Sequence, residues 1–493
     1  LLWLDLCNFY PLSMRALAQR LGLEVQEMPL RKVPDDACQA VGESRVAVCL
    51  SALQVWLDFR VRQDLGYFAP TLASQAFNAY RHRFMTYPIY VHVHNDVYEI
   101  EREASFGGRN QIFFKGRAPS SDYSQVDVTS FYASVQYGQQ FPVKQVGHSA
   151  RVGLGKLAEL LERYAIIARV EVNTEEPRFP KRTEQGTIYP VGHYDTTLTT
   201  PELKAALHGG NILRVREIVT YEQAPIFDDY IRFFWEIRQR AMRTDDAYIV
   251  ELTKRFLNTL YGKFGQRIWL SRVVGHGIDA PDQIWQEYDW QDRRSYEYRI
   301  IAGRMEQQVR DVPGRDTLLA IPAHVTAYGR CKLWELMTLA GLENVMYVDN
   351  DSLIIRHAAL RRFARLLRRD TLGGLRLCGT SPYLYIRAPK WYVFGDTTRR
   401  AGVKSGAHRL SWGLYEQEDD RSMRWALSHG NPHCAISEEV TITAPQREVE
   451  GRRQLGQRVP YPRLGDAPTR LRDGSLALPL PLELPRSMAH PHA

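Results

Sequence analysis

Two aspartates two residues apart, Asp349 and Asp351, stand between the apolar runs Val345-Met346-Tyr347-Val348 and Leu353-Ile354-Ile355. The runs read as two short strands and Asp-Asn-Asp as the tight turn of a β-hairpin. Side chains at i and i+2 share a face, so the two carboxylates can converge while Asn350 points away. Adjacent carboxylates repel unless a cation lies between them or one keeps its proton. The stretch by itself therefore admits a metal site, an acid/base dyad or an ordinary polar turn.

A second stretch runs Glu251-Leu-Thr-Lys254-Arg-Phe-Leu-Asn258-Thr-Leu-Tyr261-Gly262. On a helix, positions 254, 258 and 261 fall within roughly 60° of one another. A cation, an amide and an aromatic ring on one stripe could hold a triphosphate, a sugar and a base; the plainer reading is a surface lysine above a core aromatic. A third acid, Asp127, follows Val126 and precedes Val128, at a strand end that passes into a helix begun by Ser130. Acids on a strand end and a hairpin, with a phosphate-reading helix, are the parts that two-metal phosphoryl transfer needs. Carboxylates there hold two Mg²⁺ ions about 4 Å apart, and catalysis is mostly positioning and charge stabilisation.

These groups must be carried by a large framework. The chain has 493 residues, enough for two to four domains or subdomains. Strands are predicted at Ile89–Val93, Gln111–Phe114, Ile166–Val172 and Ile212–Ile218, and a helix at Cys49–Gln63. A short helix opens at Thr200-Pro201, with Thr200 as its cap. One long helix is predicted over Phe227–Leu260, a hairpin module over 270–315, and a helix over His324–Ala340 leading into the acidic hairpin. After about 460, stretches such as Leu476 to Pro485 read as extended or disordered.

Composition narrows the class. Hydrophobic residues make up 44% and charged residues 24%, as in ordinary globular proteins. No apolar run approaches the roughly 20 residues that span a bilayer, and no signal segment opens the chain. The expectation is a soluble protein with no membrane partner, in the cytoplasm of a bacterium or phage-infected host. Six cysteines without a CxxC pair point to reduced thiols; His433-Cys434 lacks partners at ligand spacing and reads as structure. The net charge of +8 is compatible with a polyanionic partner. The arginines between Arg361 and Arg369 equally fit a solvated helix face, and a second basic cluster runs from Arg399 through Lys404 to Arg409.

Four motifs in order resemble those of the family B DNA polymerases. Asp127-Val-Thr-Ser130-Phe-Tyr132-Ala133 resembles motif A, DxxSLYP. Lys254 to Gly262 matches motif B, KxxxNxxYG. Tyr347-Val-Asp349-Asn350-Asp351-Ser352 resembles motif C, YxDTDS, and Lys390-Trp391-Tyr392 matches KxY. The resemblance runs from residue 1 to about 420. It implies a template-directed DNA polymerase, a nucleotidyltransferase that takes DNA template and primer, dNTPs and two Mg²⁺ ions, with Mn²⁺ as a substitute.

By position, Asp127 and Asp351 would be the shared metal ligands, with Asp349 auxiliary. The Val128 amide would touch the triphosphate, and Tyr132 would lie under the sugar and exclude a 2′-hydroxyl. Lys254 would neutralise phosphates, while Asn258 and Tyr261 would face the nascent base pair. Lys390 and Tyr392, with Ser352 of motif C, would meet the primer. Phe106-Gly107-Gly108 resembles the YxGG loop, whose glycines let DNA approach closely. Ala133, Asn350 and Ser105 depart from the family's proline, threonine and tyrosine without removing a metal ligand.

The 126 residues between Asp127 and Lys254 suggest the protein-primed branch of phages and linear plasmids, whose priming partner is a terminal protein. The implied fold is α+β, a right hand of palm, fingers and thumb preceded by a partial exonuclease-like (ribonuclease H-like) domain. Residues 1–100 would be the inactive remnant of that 3′–5′ exonuclease, cut short at its N-terminus, because Val41–Arg45 lacks the tyrosine and aspartate of YxxxD and Glu43 alone could not hold two metals. Palm would follow at 101–140, a first insertion contacting terminal protein and DNA at 141–225, fingers at 226–265, and a second insertion at 266–318. Palm with motif C and KxY would occupy 319–395, thumb 396–460 and a proline-rich tail 461–493. The rival readings are a non-catalytic DNA-binding remnant and a reverse transcriptase. The intact motif B argues against the second. The retained acids argue against the first, since without metal they would only repel DNA.

Overall fold

The structure is a computed structural model. It describes residues 9–10, 14–24, 35–184, 186–291, 294–403, 407–411, 414–420, 437–443 and 456–464. Lys404, His433-Cys434, the Leu476–Pro485 stretch and parts of the expected thumb lie outside the described residues.

The three aspartates stand in one sheet because strands more than 200 residues apart pair. Five antiparallel strands lie in the order Asn110–Ile112, Val345–Asp349, Ser352–Arg356, Tyr123–Val128 and Leu375–Ser381. The central strands are apolar on both faces because both faces are covered. Val126, Val128, Val345, Val348, Leu353 and Ile355 pack against Leu333, Trp334 and Met337 of the helix Ala320–Ala340. Tyr123, Met346, Tyr347 and Ile354 point the other way, onto Leu384, Ile386, Tyr392 and Phe394 of an adjacent sheet. Only the strand ends reach the rim, and the acids are there.

The helix predicted over 227–260 is two helices, Asp228–Arg243 and Ala247–Lys263. Asp245 takes a left-handed φ of 54°, and the Asp246 side chain accepts from the Ile249 amide at 3.0 Å, starting the second helix. The sequence periodicity survives the break because both helices bury the same kind of face. Phe234 and Phe256 stack across it with ring centroids 4.5 Å apart.

The N-terminal region shares this core. The helix Asp35–Arg62 buries Val48, Ala52 and Trp56 in the cluster that holds Phe256 and Leu260. A fully enclosed Trp56 puts the cost of Trp56→Ala at about 3–5 kcal/mol. Among the described residues before Ser105 the regular elements are all helices, so the expected ribonuclease H-like unit shows no strand there. By length and composition alone, Gln39–Arg62 is long and apolar enough to cross a membrane, contrary to the reading of the sequence; the face just described lies in the protein core.

A second five-stranded sheet has the order Arg463–Leu464, Val191–Thr199, Ala165–Thr174, Ile212–Ala224 and Phe141–Ala150. Leu157, Leu161, Leu203 and Ala206, from the helices Leu154–Arg163 and Thr200–His208, join its core. Thr199 rather than Thr200 occupies the cap position, because the Thr200 hydroxyl accepts from the Ile166 amide at 2.7 Å and is committed to the sheet. Residues 267–313 form a four-stranded antiparallel sheet. Two smaller expectations shift. Ile89–Val93 forms no ladder, although the Tyr90 amide reaches the Val143 carbonyl at 2.7 Å, and Gln111–Phe114 divides between Asn110–Ile112 and Phe114–Arg117. Two short strands form late in the chain: Gln457–Arg458 pairs with Phe114 and Lys115, and Arg463–Leu464 with Val191 and Gly192.

Candidate active site

Asp127 sits opposite Ser352 on one neighbouring strand and Arg376 on the other. Asp351 lies in the two-residue turn that follows Asp349, and its carbonyl accepts from the Val128 amide at 2.9 Å. That bond draws the hairpin tip onto the end of the Asp127 strand. The Val128 N–H, expected at the triphosphate, here closes the sheet, as does that of Thr129, which donates to the Gly374 carbonyl at 2.9 Å.

The electrostatics follow from this proximity. Burial, then the Asp127 charge and more weakly Asp349, push the Asp351 carboxyl up to about 6 against the opposing pull of Lys254. Burial also raises Asp127, opposed by Arg376 and Lys254. The Arg376 guanidinium lies 3.4 Å from the Asp127 carboxylate and is half exposed. Asp349 has other company. It accepts from Asn110 Nδ2 at 3.0 Å and stands 3.7 Å from the Lys390 ammonium.

Lys254, Asn258 and Tyr261 share the outer face of the helix Ala247–Lys263, as their spacing predicts; Lys254 and Asn258 are exposed and Tyr261 is half-buried. The Tyr261 and Tyr132 rings lie 5.1 Å apart at 36° and their hydroxyls are hydrogen-bonded. Motifs A, B and C thus face a single cleft.

Gly108 has a different neighbour from the one expected. A Cβ there would collide with Asn350 Oδ1 and stand 2.7 Å from Tyr132 Oη. At Gly108 the close approach that needs glycine is made by side chains of the protein itself. Phe106, expected at the DNA, is flanked by Arg182 and Arg330, whose guanidinium carbons lie 5.2 and 5.5 Å from its ring. Gly107 adopts φ 78° and its carbonyl accepts from Arg330 Nη1. Asn350 itself has φ 56°, a region asparagine tolerates far better than a β-branched residue, and its amide donates to the Arg109 carbonyl at 2.7 Å.

Of the two KxY residues, Lys390 is exposed beside Asp349, whereas Tyr392 is buried, 5.3 Å from the Tyr347 ring. The Tyr392 ring therefore packs beneath the sheet. Ser352 stays at the turn, its hydroxyl 3.5 Å from the Asp349 carbonyl. Sequence reasoning missed Arg376, Asn110, Arg109, Arg330 and Glu202. A lone arginine on a strand carries no spacing signal. Arg330 and Glu202 lie on helices read only for their boundaries.

Among the described residues, no three carboxylate, imidazole or thiolate groups already form a metal cage. The donor chemistry nevertheless fits Mg²⁺, which is commonly held by one or two carboxylates together with substrate phosphates. Asp127 and Asp351 are hard oxygen donors, and the Asp127 charge raises the proton affinity of Asp351, the condition a divalent cation relieves.

Residues 63–274 match the family described as DNA polymerase type B, organellar and viral. A probable DNA polymerase of Neurospora intermedia is 21% identical over 302 residues, 58% of this chain and 30% of that protein. The DNA-directed DNA polymerase of Enterobacteria phage PRD1 is 27% identical over 267 residues, 52% of this chain and 44% of the phage protein. The chain thus spans less than half the length of these curated relatives. In fold it is similar to phi29 DNA polymerase. The complex of that enzyme with primer-template DNA and incoming nucleotide superposes with a TM-score of 0.59 at 14% identity, over 90% of this chain and 72% of that one. The complex with primer-template DNA alone gives 0.61, over 89% and 79%.

Proposed function

We propose that this relative of the organellar and viral type B DNA polymerases is itself a template-directed DNA polymerase that adds deoxynucleotides to a 3′-hydroxyl. The observation that carries the reading is the convergence of Asp127 and Asp351 across adjacent strands, with Lys254 bearing on both.

In this reading the primer hydroxyl loses its proton to solvent and attacks the α-phosphorus of a dNTP; a phosphodiester bond forms, the α–β phosphoanhydride bond breaks and pyrophosphate leaves. Asp127 and Asp351 would hold Mg²⁺, which when bound supplies charge neutralisation at the reacting phosphate and the leaving group. Lys254 neutralises the departing phosphates from the fingers side. Tyr132, packed on Tyr261, lies under the sugar and crowds a 2′-hydroxyl, while Asn258 and Tyr261 line the base-pair side. Asp349, paired with Asn110 and Lys390, steadies the hairpin and is the weaker ligand candidate. Lys390 is the candidate for the primer strand.

Priming from a protein hydroxyl is supported by the inserted sheet at 141–224 and by the protein-primed character of the resemblance. Residues 226–265 would be fingers, 396–460 thumb, and the helical region before 105 what remains of an exonuclease.

The test is extension of a primed template with Mg²⁺ and dNTPs by the parent chain and by Asp351→Asn. Extension by the parent and loss of at least about 10³-fold in the variant is expected. A folded parent that binds DNA but extends nothing would favour the non-catalytic remnant.

A further inference from the structure

Arg330, on the helix Ala320–Ala340, and Glu202, on the helix Thr200–His208 of the inserted region, form an ion pair at 2.8 Å with side chains only 2% and 3% exposed. The same guanidinium donates from Nη1 to the Gly107 carbonyl at 2.5 Å. Gly107 is left-handed at φ 78°, where only glycine moves freely, so an outside donor is needed to fix the direction of its carbonyl. The next residue, Gly108, is the one against which Tyr132 Oη and Asn350 Oδ1 pack.

The helix that carries Arg330 also touches Tyr132 directly. A Cβ on Gly329 would lie 3.1 Å from a ring carbon of Phe131 and 3.5 Å from one of Tyr132. Tyr132 is therefore bounded by Gly329 along its ring, by Gly108 at its hydroxyl and by Tyr261 across the cleft. Two of those three bounds depend on consecutive residues, Gly329 and Arg330. A buried ion pair is a costly way to join two helices, since well-packed apolar residues of similar volume often do as well or better. What this pair adds is a fixed donor at Gly107.

We propose that the buried Arg330–Glu202 pair is a positioning device for sugar discrimination, holding Gly107-Gly108 against Tyr132 and Asn350 so that the Tyr132 ring stays where a 2′-hydroxyl would go. The proposal rests on the reading of Tyr132 as the residue beneath the incoming sugar. It gives the inserted region, through Glu202, a share in choosing the nucleotide.

The experiment is single-nucleotide incorporation of dCTP and CTP opposite template dG, with kcat and KM measured separately for the parent, Glu202→Gln and Arg330→Lys. Loosening the loop should lower the dCTP/CTP ratio of kcat/KM by about tenfold in both variants. Tyr132→Ala should lower it further in the parent than in either variant, because the changes act through one gate and are not additive. Equal losses for dCTP and CTP, or an unchanged ratio in a folded variant, would overturn the positioning role. Glu202→Gln preserves volume and an acceptor, so it decides the matter if Arg330→Lys does not fold. A parent that extends with neither nucleotide overturns the polymerase reading itself and takes this proposal with it. An active parent with unchanged ratios overturns this proposal alone.

Discussion

Asp351→Asn should make the metal-free protein more stable while abolishing its activity. The Asp351 carboxyl is held at about 6, against an ordinary 3.8, by burial and by the charges of Asp127 and Asp349. Ionising it inside the fold at neutral pH therefore costs up to about 3 kcal/mol, which solvent at the cleft mouth and side-chain adjustment reduce to about 1–2 kcal/mol. Between about pH 4 and 6 the folded state binds more protons at this residue than the unfolded chain, so its contribution to stability falls as pH rises through that window. Asparagine has the shape of the acid and never ionises. In EDTA at pH 7.5 its melting temperature should exceed the parent's by about 1–2 °C, and at pH 5, midway through that window, about half of the advantage should remain. Excess Mg²⁺ should raise the parent and leave the variant behind. Thermal unfolding followed by calorimetry at the two pH values, with and without Mg²⁺, is the assay. A variant less stable than the parent in EDTA at pH 7.5, or an advantage that persists undiminished at pH 5, would refute the mutual repulsion of Asp127 and Asp351.

Gly108→Ala should cost about 10²-fold in primer extension, because the new Cβ must displace Asn350 or Tyr132, and Asn350→Ala in the same chain should recover part of the loss in steady-state assays. Arg376→Gln removes the half-exposed partner of Asp127 and should change the melting temperature in EDTA by an amount equivalent to less than about 1 kcal/mol. His324 is enclosed between the Ala320 carbonyl and the Thr200 hydroxyl, and burial pushes its imidazole down to about 4. Because the unfolded chain takes up a proton there first, stability present above about pH 6.5 should be lost as pH falls towards 4; urea unfolding at pH 7 and 5 should show the loss, and His324→Phe should flatten it.

The elements that bear the motifs were legible because each carries a strong local pattern. The hairpin at 345–356, the strand ending at Asp127 and the helical stripe of Lys254, Asn258 and Tyr261 all stand where the residues predict. What pattern could not convey is who stands next to whom. Gly108 announces a close approach without saying that Tyr132 and Asn350 make it. Tyr392 matches a motif, yet lies beneath the sheet because its strand alternates and that register faces inward. The break at Asp245 was invisible to periodicity, since a left-handed residue between two amphipathic helices leaves both apolar faces intact. Arg330 and Glu202 are 128 positions apart and only the fold brings them together.

The late segment 456–464 has a consequence for biogenesis. It completes two sheets: Gln457–Arg458 pairs beside Phe114–Arg117, and Arg463–Leu464 beside Val191–Thr199, where Gly192 at φ 92° leaves no room for a side chain beneath the Leu464 carbonyl. On the ribosome, the strand Val191–Thr199 must wait for about 270 further residues, on the order of 15–50 s of elongation, before its outer neighbour emerges. Throughout that interval the nascent chain displays two open strand edges able to pair with other chains. Production of soluble protein should thus depend on chaperone supply and growth temperature more than the stability of the finished molecule would suggest.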